Sequence, residues 1–364
     1  MDLHIAPGVT AREVAEAHLK DVKIQDAFCC KAMTYWLDED KGCVFCLIEA
    51  PDKESVREMH AKAHGLTPNE IIQVNTDLVK AFLGRIQDPE DTISQPETNL
   101  KVFSDPAFRI ILITKTIDTR LLQCELGKER AQELLLLYST IIRDEARSHR
   151  GSEVYRREEG FVVSFTSQTQ ALECALVIRK KLARAAEAIG LRMALHGGVP
   201  VEKDNSLFGS TIRLAQFLCS MGKAGTITMS SDVRDLFKDN DWNLTVGQDD
   251  VRSLNTSDQS FLELLLETLA QNWQNAEFDI PDFCQLMSVS KSQLYRKCVS
   301  ITTMSPNSLL REYRLLRSLE LLRKEDRNIS QTTFDTGFTS PSYFTKCFQK
   351  RFGMQPLAYL KMQS

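Results

Sequence analysis

Apolar and polar positions change period several times along this chain, and each change predicts an element. Leu3–Ala6 (LHIA) is a short apolar run expected to be a strand. Thr10 stands three residues before Glu13, the spacing of a capping box, and predicts a helix through about Ala27. KAMTYWL and CVFCLIEA predict strands joined by the turn-rich DEDKG, Asp52 caps a helix over KESVREMHAKAH that Gly65 ends, and IIQV closes as a strand. A second stretch repeats the order. FRIILITK is a strand, a long helix runs from Lys128 to about Ser148, and SEVYRR and GFVVSF form a strand pair. A helix over 168–188 and a strand at RMALHGGVP follow. The remainder reads as helices throughout.

Strand-helix-strand-strand-helix-strand is the split βαβ, ferredoxin-like order. The expected fold class is therefore multidomain α+β and all-α: two ferredoxin-like α+β domains followed by an all-helical domain. Two polar stretches read as linkers, QDPEDTISQPETNLKVFSDP (87–106) with its three prolines and RSLNTSDQ (252–259). They set off blocks of 1–86, 107–251 and 258–364.

Composition narrows the class without naming a function. At 364 residues, 43% apolar and 26% charged, the chain is an ordinary globular one of two to three domains. The most apolar run, ELLLLYSTII, is half the length a membrane helix needs, and the opening residues lack the pattern of a signal peptide. Ten cysteines are too sparse for a disulfide scaffold, so a cytoplasmic protein with no membrane partner is expected. Charge is more informative. The net −4 splits into +8 over residues 290–364 and −12 over the rest, so a polyanion-binding module is expected at one end.

The basic block carries the strongest pattern. FDIPDFCQLMSVSKSQLYRKCVSIT holds a short helix, a break at Ser288-Val289-Ser290, and a helix opened by Ser290. ISQTTFDTGFTSPSYFTKCFQKRFG repeats the arrangement, with Gly337 in the turn and Ser340 or Ser342 as cap. Pro306 opens the helix between them. Lys291, Ser292, Tyr295 and Arg296 on the first reading helix, and Ser342, Tyr343, Lys346, Gln349 and Lys350 on the second, are the expected contacts to double-stranded DNA. Leu294, Phe344 and Phe348 recur at core spacing. SKSQLYRK, RLLRSLELL and the run I-x7-GF-x-SPSYF-x3-F-x3-FG-x2-P from Ile329 to Pro356 make this segment resemble the DNA-binding domain of the AraC/XylS family of bacterial transcription regulators. The resemblance implies promoter operator sites, a homodimer and contact with RNA polymerase. Relatives carry Ile-Ala at Thr332-Thr333 and Gly at Ser288, departures expected to weaken helix packing slightly.

RIILITKTIDT, GSEVYRREEGFVVSF, LRMALHGGVP, LFGSTIRLAQFL and GTITMS together resemble the class III adenylate/guanylate cyclase homology domain. The resemblance stops at the chemistry. The first metal-binding aspartate of that family falls on Lys115, and the second falls within Glu158-Glu159. The base-recognising lysine falls on Tyr155, and the Asn and Arg of V-N-x-A-A-R fall on Arg213 and Phe217. A catalytically inactive, dimerising spacer is expected. The alternatives are a nucleotide sensor and a cyclase-related enzyme. No P-loop, G-x-G-x-x-G, H-E-x-x-H or G-x-S-x-G occurs elsewhere, and His149 and His196 are expected to be structural.

Four of six histidines fall in the first 64 residues. His60 and His64 share one helix face at i, i+4, a metal-chelating spacing. His18, Asp21 and Gln25 form a polar stripe on the other helix, and His4 and Cys46 lie on strands of one sheet. Imidazole, thiolate and carboxylate suit nickel, zinc or copper, so His4, His18, Asp21, Cys46, His60 and His64 are the candidate metal ligands. Cys43 and Cys46 point to opposite strand faces, and only Cys46 should face the side of Val44 and Ile48. The opening MDLHIAPGVTAREVAEAHLKD, TYWLDEDKGCVFCLIEAPDKESV and MHAKAHG make the block resemble small ferredoxin-like bacterial proteins described as nickel-binding, which tend to carry glycine near Phe28-Cys29-Cys30. The expected whole is a DNA-binding transcription regulator modulated by a ligand at the N-terminal domain, a divalent metal such as nickel.

Overall fold

β1 (Asp2–Ile5), α1 (Ala11–Ile24), β2 (Lys31–Asp38), β3 (Cys43–Glu49), α2 (Lys53–Ala63) and β4 (Glu70–Ile71) build an antiparallel sheet in the order β2-β3-β1-β4. That is the ferredoxin-like order. The computed structural model describes residues 1–90, 94–95, 100–157, 160–185, 189–201, 206–238, 251–324 and 327–362. Thr10 and Glu13 form the capping box on α1 and Asp52 caps α2, because each cap lies within three residues of the amide it satisfies.

The α-helix predicted through Ala27 ends at Ile24 and tightens into a 3-10 turn over Gln25–Phe28. The predicted strand IIQV becomes β4 at Glu70–Ile71, which shares only Ile71 with that run; Asp2 pairs with Ile71 and Leu3 with Glu70, and the Met1 and Ile72 backbones bond each other at 2.9 Å beyond them. Asn75 then caps α3 (Thr76–Leu83), a helix the periodicity did not show. Part of the stretch read as a linker forms the short antiparallel pair β5 (Ser94–Gln95) and β6 (Leu100–Lys101), and its residues from Leu100 onward pack on this first body. Phe103 stacks on Tyr35 with centroids 4.2 Å apart, Leu100 is buried, and the Leu37 amide donates to the Asp105 carbonyl at 3.0 Å. Its apolar residues Leu100, Val102 and Phe103 cover the side of α1, which outweighs the polar residues around them.

The second sheet has the same core. β7 (Arg109–Lys115), α4 (Thr119–Leu126), α5 (Lys128–Ser148), β8 (Ser152–Arg157), β9 (Gly160–Phe165), α6 (Gln168–Ala185) and β10 (Arg192–Gly198) give strand order β10-β7-β9-β8. After α7 (Gly209–Met221), β11 (Ile227–Met229), α8 (Ser231–Arg234) and β12 (Val251–Ser253), the two added strands extend the sheet by parallel pairing beyond β10. The continuous apolar run of β7 has a simple cause: both faces are covered. Ile110 and Leu112 pack against α5 and α6, whereas Ile111 and Ile113 face a core shared with Trp36, Phe45, Phe82 and Phe208.

The rest of the chain is helical: α9 (Thr256–Asn272), α10 (Ile280–Leu286), α11 (Lys291–Thr302), α12 (Pro306–Leu322), α13 (Ile329–Asp335), α14 (Pro341–Phe352) and α15 (Pro356–Lys361). The stretch 252–259 read as a linker is instead the end of β12 and the capped first turn of α9, with Asn255 accepting from the Asp258 amide. Leu262 and Leu265 of α9 join the core that holds Phe217 of α7 and Leu294 of α11.

Candidate DNA-reading helices and metal centre

α10 and α11 meet across Ser288-Val289, and Ser290 opens α11 in a capping box with Gln293. α13 and α14 meet across Gly337 at φ +74°, where an added Cβ would stand 2.5 Å from the Trp273 carbonyl oxygen. Ser340, not Ser342, caps α14, which Pro341 opens. Leu294, Phe344 and Phe348 are fully buried and seat the two helices. That leaves Lys291, Ser292, Tyr295 and Arg296 on α11 exposed, with Ser342, Tyr343, Lys346, Gln349 and Lys350 exposed on α14. Two helices thus offer cations, hydroxyls, an amide and phenols outward, the side chains that contact phosphates and base edges.

The metal-ligating types converge in the first domain. Asp2 and His4 lie on one face of β1, Cys46 opposite Asp2 on β3, Asp21 on α1, and His60 and His64 at the end of α2. Asp2, His4, Cys46 and His60 offer donor atoms within 4.8 Å of one another, and Asp21, His60 and His64 form a second such group. His60 Nε2 stands 3.3 Å from Asp2 Oδ2, while its Nδ1 stands 3.2 Å from Asp21 Oδ1 and 3.0 Å from His64 Nε2. His64 Nε2 lies 3.4 Å from Asp21 Oδ1, and His4 Nε2 lies 3.4 Å from Asp2 Oδ1.

Burial alone would raise the Asp2 carboxyl, but hydrogen bonds from His4 and His60 hold it well below the usual range. Burial would lower His60, and the two carboxylates overcome it, lifting the imidazole to about 9. Burial followed by the charges of Asp2 and Asp21 pushes the Cys46 thiol up. A positive charge is therefore held between two buried carboxylates, the place a divalent cation would take. Donors sharing an ion at about 2.0–2.1 Å stand about 3.0–3.4 Å apart, so the spacings here fit a nickel-, zinc- or copper-type ion.

Two residues change the candidate set. His18 enters neither group; it sits one turn before Asp21, with Nε2 3.7 Å from Asp88 Oδ2 and its ring 5.3 Å from Tyr35. It lines the same cavity, about 360 Å³, as His4, Asp21, Cys46, His60 and His64. Asp2 was missed, although the alternation Asp2-Leu3-His4 puts it on the face of His4. Gln25 takes a structural role, accepting from the Ala32 amide at 2.7 Å.

Residues 283–362 match the family described as "Helix-turn-helix domain", and residues 1–74 match "Nickel responsive protein SCO4226-like". The chain is 36% identical over 107 residues to Histidine kinase P4 of Formosa agariphila, covering 29% of this chain and 8% of that protein. It is 37% identical over 101 residues to the HTH-type transcriptional activator RhaR of Yersinia pseudotuberculosis, covering 27% of this chain and 33% of that protein. The C-terminal region is a helix-turn-helix domain. The chain spans a third or less of these curated relatives. Among solved structures, an adenylate/guanylate cyclase/hydrolase from Silicibacter pomeroyi aligns at 22% identity with a TM-score of 0.32, over 36% of this chain and 81% of that one.

Within the helix-turn-helix domain, the departures at Ser288 and Thr332-Thr333 acquire physical causes. Ser288 is held at φ +52°, and the buried Thr332 hydroxyl has no hydrogen-bond partner among the described residues. In the middle region Lys115 Nζ donates to Ser220 Oγ at 3.3 Å, and Phe217 is buried; Glu158 and Glu159 lie outside the described residues. A cleft of about 1130 Å³ borders this region, lined by Lys41 and Arg213 against Asp232, Asp235, Glu263 and Glu267. Among the described residues no helix is long and apolar enough to cross a membrane.

Proposed function

We propose that this protein is a transcription regulator that binds promoter DNA through α11 and α14 and responds to a divalent metal, nickel foremost, held by its first domain. The observation that carries the reading is the union of two things in one chain: a pair of capped helices with their polar faces exposed, and a buried nitrogen-oxygen-sulfur donor cluster. Asp2, His4, Asp21, Cys46, His60 and His64 would supply the metal ligands. Such an ion would supply fixed positive charge among the donors of β1, α1, β3 and α2. The chain's own residues would carry such a change onward: Met59 and Val56 of α2 are buried, while Trp36 and Phe45 share one core with Ile111, Leu265 and Leu294. An effector can shift DNA affinity only by its differential affinity for two arrangements, typically about 1–3 kcal/mol.

The working unit is a homodimer, with the middle domains as the dimerising spacer and RNA polymerase as a further partner. Domain limits of 1–86, 107–251 and 258–364 are part of this proposal, with residues 100–105 assigned to the first body by their contacts. Footprinting with and without nickel tests it. Lys346→Ala with Gln349→Ala is expected to abolish specific protection and leave weak, salt-sensitive binding; an unchanged footprint removes the assignment of α14.

The middle region is proposed to be non-catalytic. A lysine at the first metal-ligand position opposes metal binding, and a cleft with four carboxylates disfavours a triphosphate. Cyclic nucleotide made from ATP or GTP with magnesium or manganese would overturn this.

A further inference from the structure

We propose that the N-terminal site takes two divalent transition-metal ions that share His60 as a bridging imidazolate, rather than a single ion. The inference rests on the metal-responsive reading above and adds the number of ions and the residue that joins them.

The two donor groups overlap at His60 alone. The two nitrogens of an imidazole point away from each other, so one ion can accept only one of them. Each nitrogen meets its own carboxylate: Nε2 faces Asp2 at 3.3 Å and Nδ1 faces Asp21 at 3.2 Å. Each side also has its own second histidine, His4 beside Asp2 and His64 beside Asp21. In a single-ion site the far nitrogen of a ligating histidine needs just one acceptor to orient it, commonly a carboxylate. Here the far side holds more than that. His60 Nδ1, His64 Nε2 and Asp21 Oδ1 form a triangle with edges of 3.0, 3.2 and 3.4 Å, the spacing of three atoms aimed at one cation.

Charge balance agrees. With Cys46 as thiolate and His60 as imidazolate, the two aspartates complete four negative charges against the four positive charges of two ions. A buried site with no net charge avoids the desolvation cost of an uncompensated one. The two sides are not equal. The Leu66 amide donates to His64 Nδ1 at 3.2 Å, which leaves the proton of a neutral ring on Nε2. An ion entering beside Asp21 must displace that proton and free the Leu66 amide, whereas one entering beside Asp2 must displace the proton of the Cys46 thiol.

Metal content of the full-length protein, dialysed against nickel(II) and measured by elemental analysis, tests the inference, with circular dichroism confirming the fold of each variant. Two nickel ions per chain are expected in the unaltered protein. Asp21→Asn/His64→Ala and, separately, His4→Ala/Cys46→Ala are each expected to hold one. Loaded with copper(II), the unaltered protein is expected to lose most of its paramagnetic resonance signal through exchange across the shared ring. One ion per chain in the unaltered protein overturns the proposal, and so do two copper ions with full, uncoupled signal. One ion with nickel-dependent DNA binding intact would sink this inference alone; no ion and no nickel effect on DNA would sink the metal-responsive reading as well.

Discussion

Ser288 occupies a left-handed backbone position that costs a side chain with a Cβ about 1–2 kcal/mol relative to glycine, partly offset by the greater unfolded-state freedom of glycine. Ser288→Gly is therefore expected to raise stability by about 0.5–1 kcal/mol in urea denaturation. Thr332→Val removes a buried hydroxyl without a partner among the described residues, at nearly constant shape, for an expected gain of about 1–2 kcal/mol. A loss in either variant would refute its stated cause. The family pattern marked both residues as departures, but only dihedrals and hydrogen bonds explain them. Cys29 follows the same logic, at φ +53° within the Phe28-Cys29-Cys30 stretch where a glycine is expected of relatives. His196 is a case of the opposite kind, since nothing in the sequence marks its environment. Burial pushes it down to about 4, with Asp232 opposing from 3.9 Å. The folded protein keeps this ring neutral while the unfolded chain protonates it near 6.5, so stability is lost as pH falls from 6.5 towards 4. Between pH 7 and pH 5 the unaltered protein should lose about 2 kcal/mol more than His196→Gln, whose side chain does not titrate. Equal losses would show that the imidazole is not held neutral.

Elements whose signals are local were the most legible. Thr10 with Glu13, Asp52 with Ser55, and Ser290 with Gln293 each join residues three apart, and the helices they open start where the spacing puts them. α5 runs from Lys128 to Ser148 as its periodicity indicates. Misread segments depend on distant partners. β4 takes its place from pairing with Asp2 and Leu3, and residues 100–105 are ordered by Tyr35, Leu37 and Arg85, all earlier in the chain. α4 follows Asp118, a cap that bonds the amides of Arg120 and Leu121. The candidate metal site divides along the same line. His60 and His64 follow from helix spacing, and Asp2 could have been found from strand alternation. That His18 turns to Asp88 could not, because Asp88 lies beyond α3 and outside every local pattern.

Across the whole molecule, the reading helices and the donor cluster lie in different domains, so a response to metal needs fixed joints between them. One joint ties the first domain to the second: the buried Arg109 guanidinium donates to the Phe82 and Leu83 carbonyls at the end of α3, at 3.1 Å each. Another ties the second to the third. Asp118 of the middle domain is buried, accepts from the Tyr359 hydroxyl at 2.7 Å, and is ion-paired with Arg323; Arg120 lies over the Tyr359 ring. Because Tyr359 packs on Phe348 of α14, this joint sets where the second reading helix stands relative to the middle domain. Asp118→Ala would leave every donor of the metal site and every exposed residue of α11 and α14 in place. It is expected to keep the nickel content and non-specific DNA affinity of the unaltered protein, while the nickel-induced change in operator affinity shrinks severalfold. Titrations of operator DNA with and without nickel, for both proteins, measure that ratio directly. If the ratio is unchanged, the coupling runs through the apolar contacts of α9 with α7 and α11, where Leu262 and Leu265 meet Phe217 and Leu294, and the polar joint is only a brace.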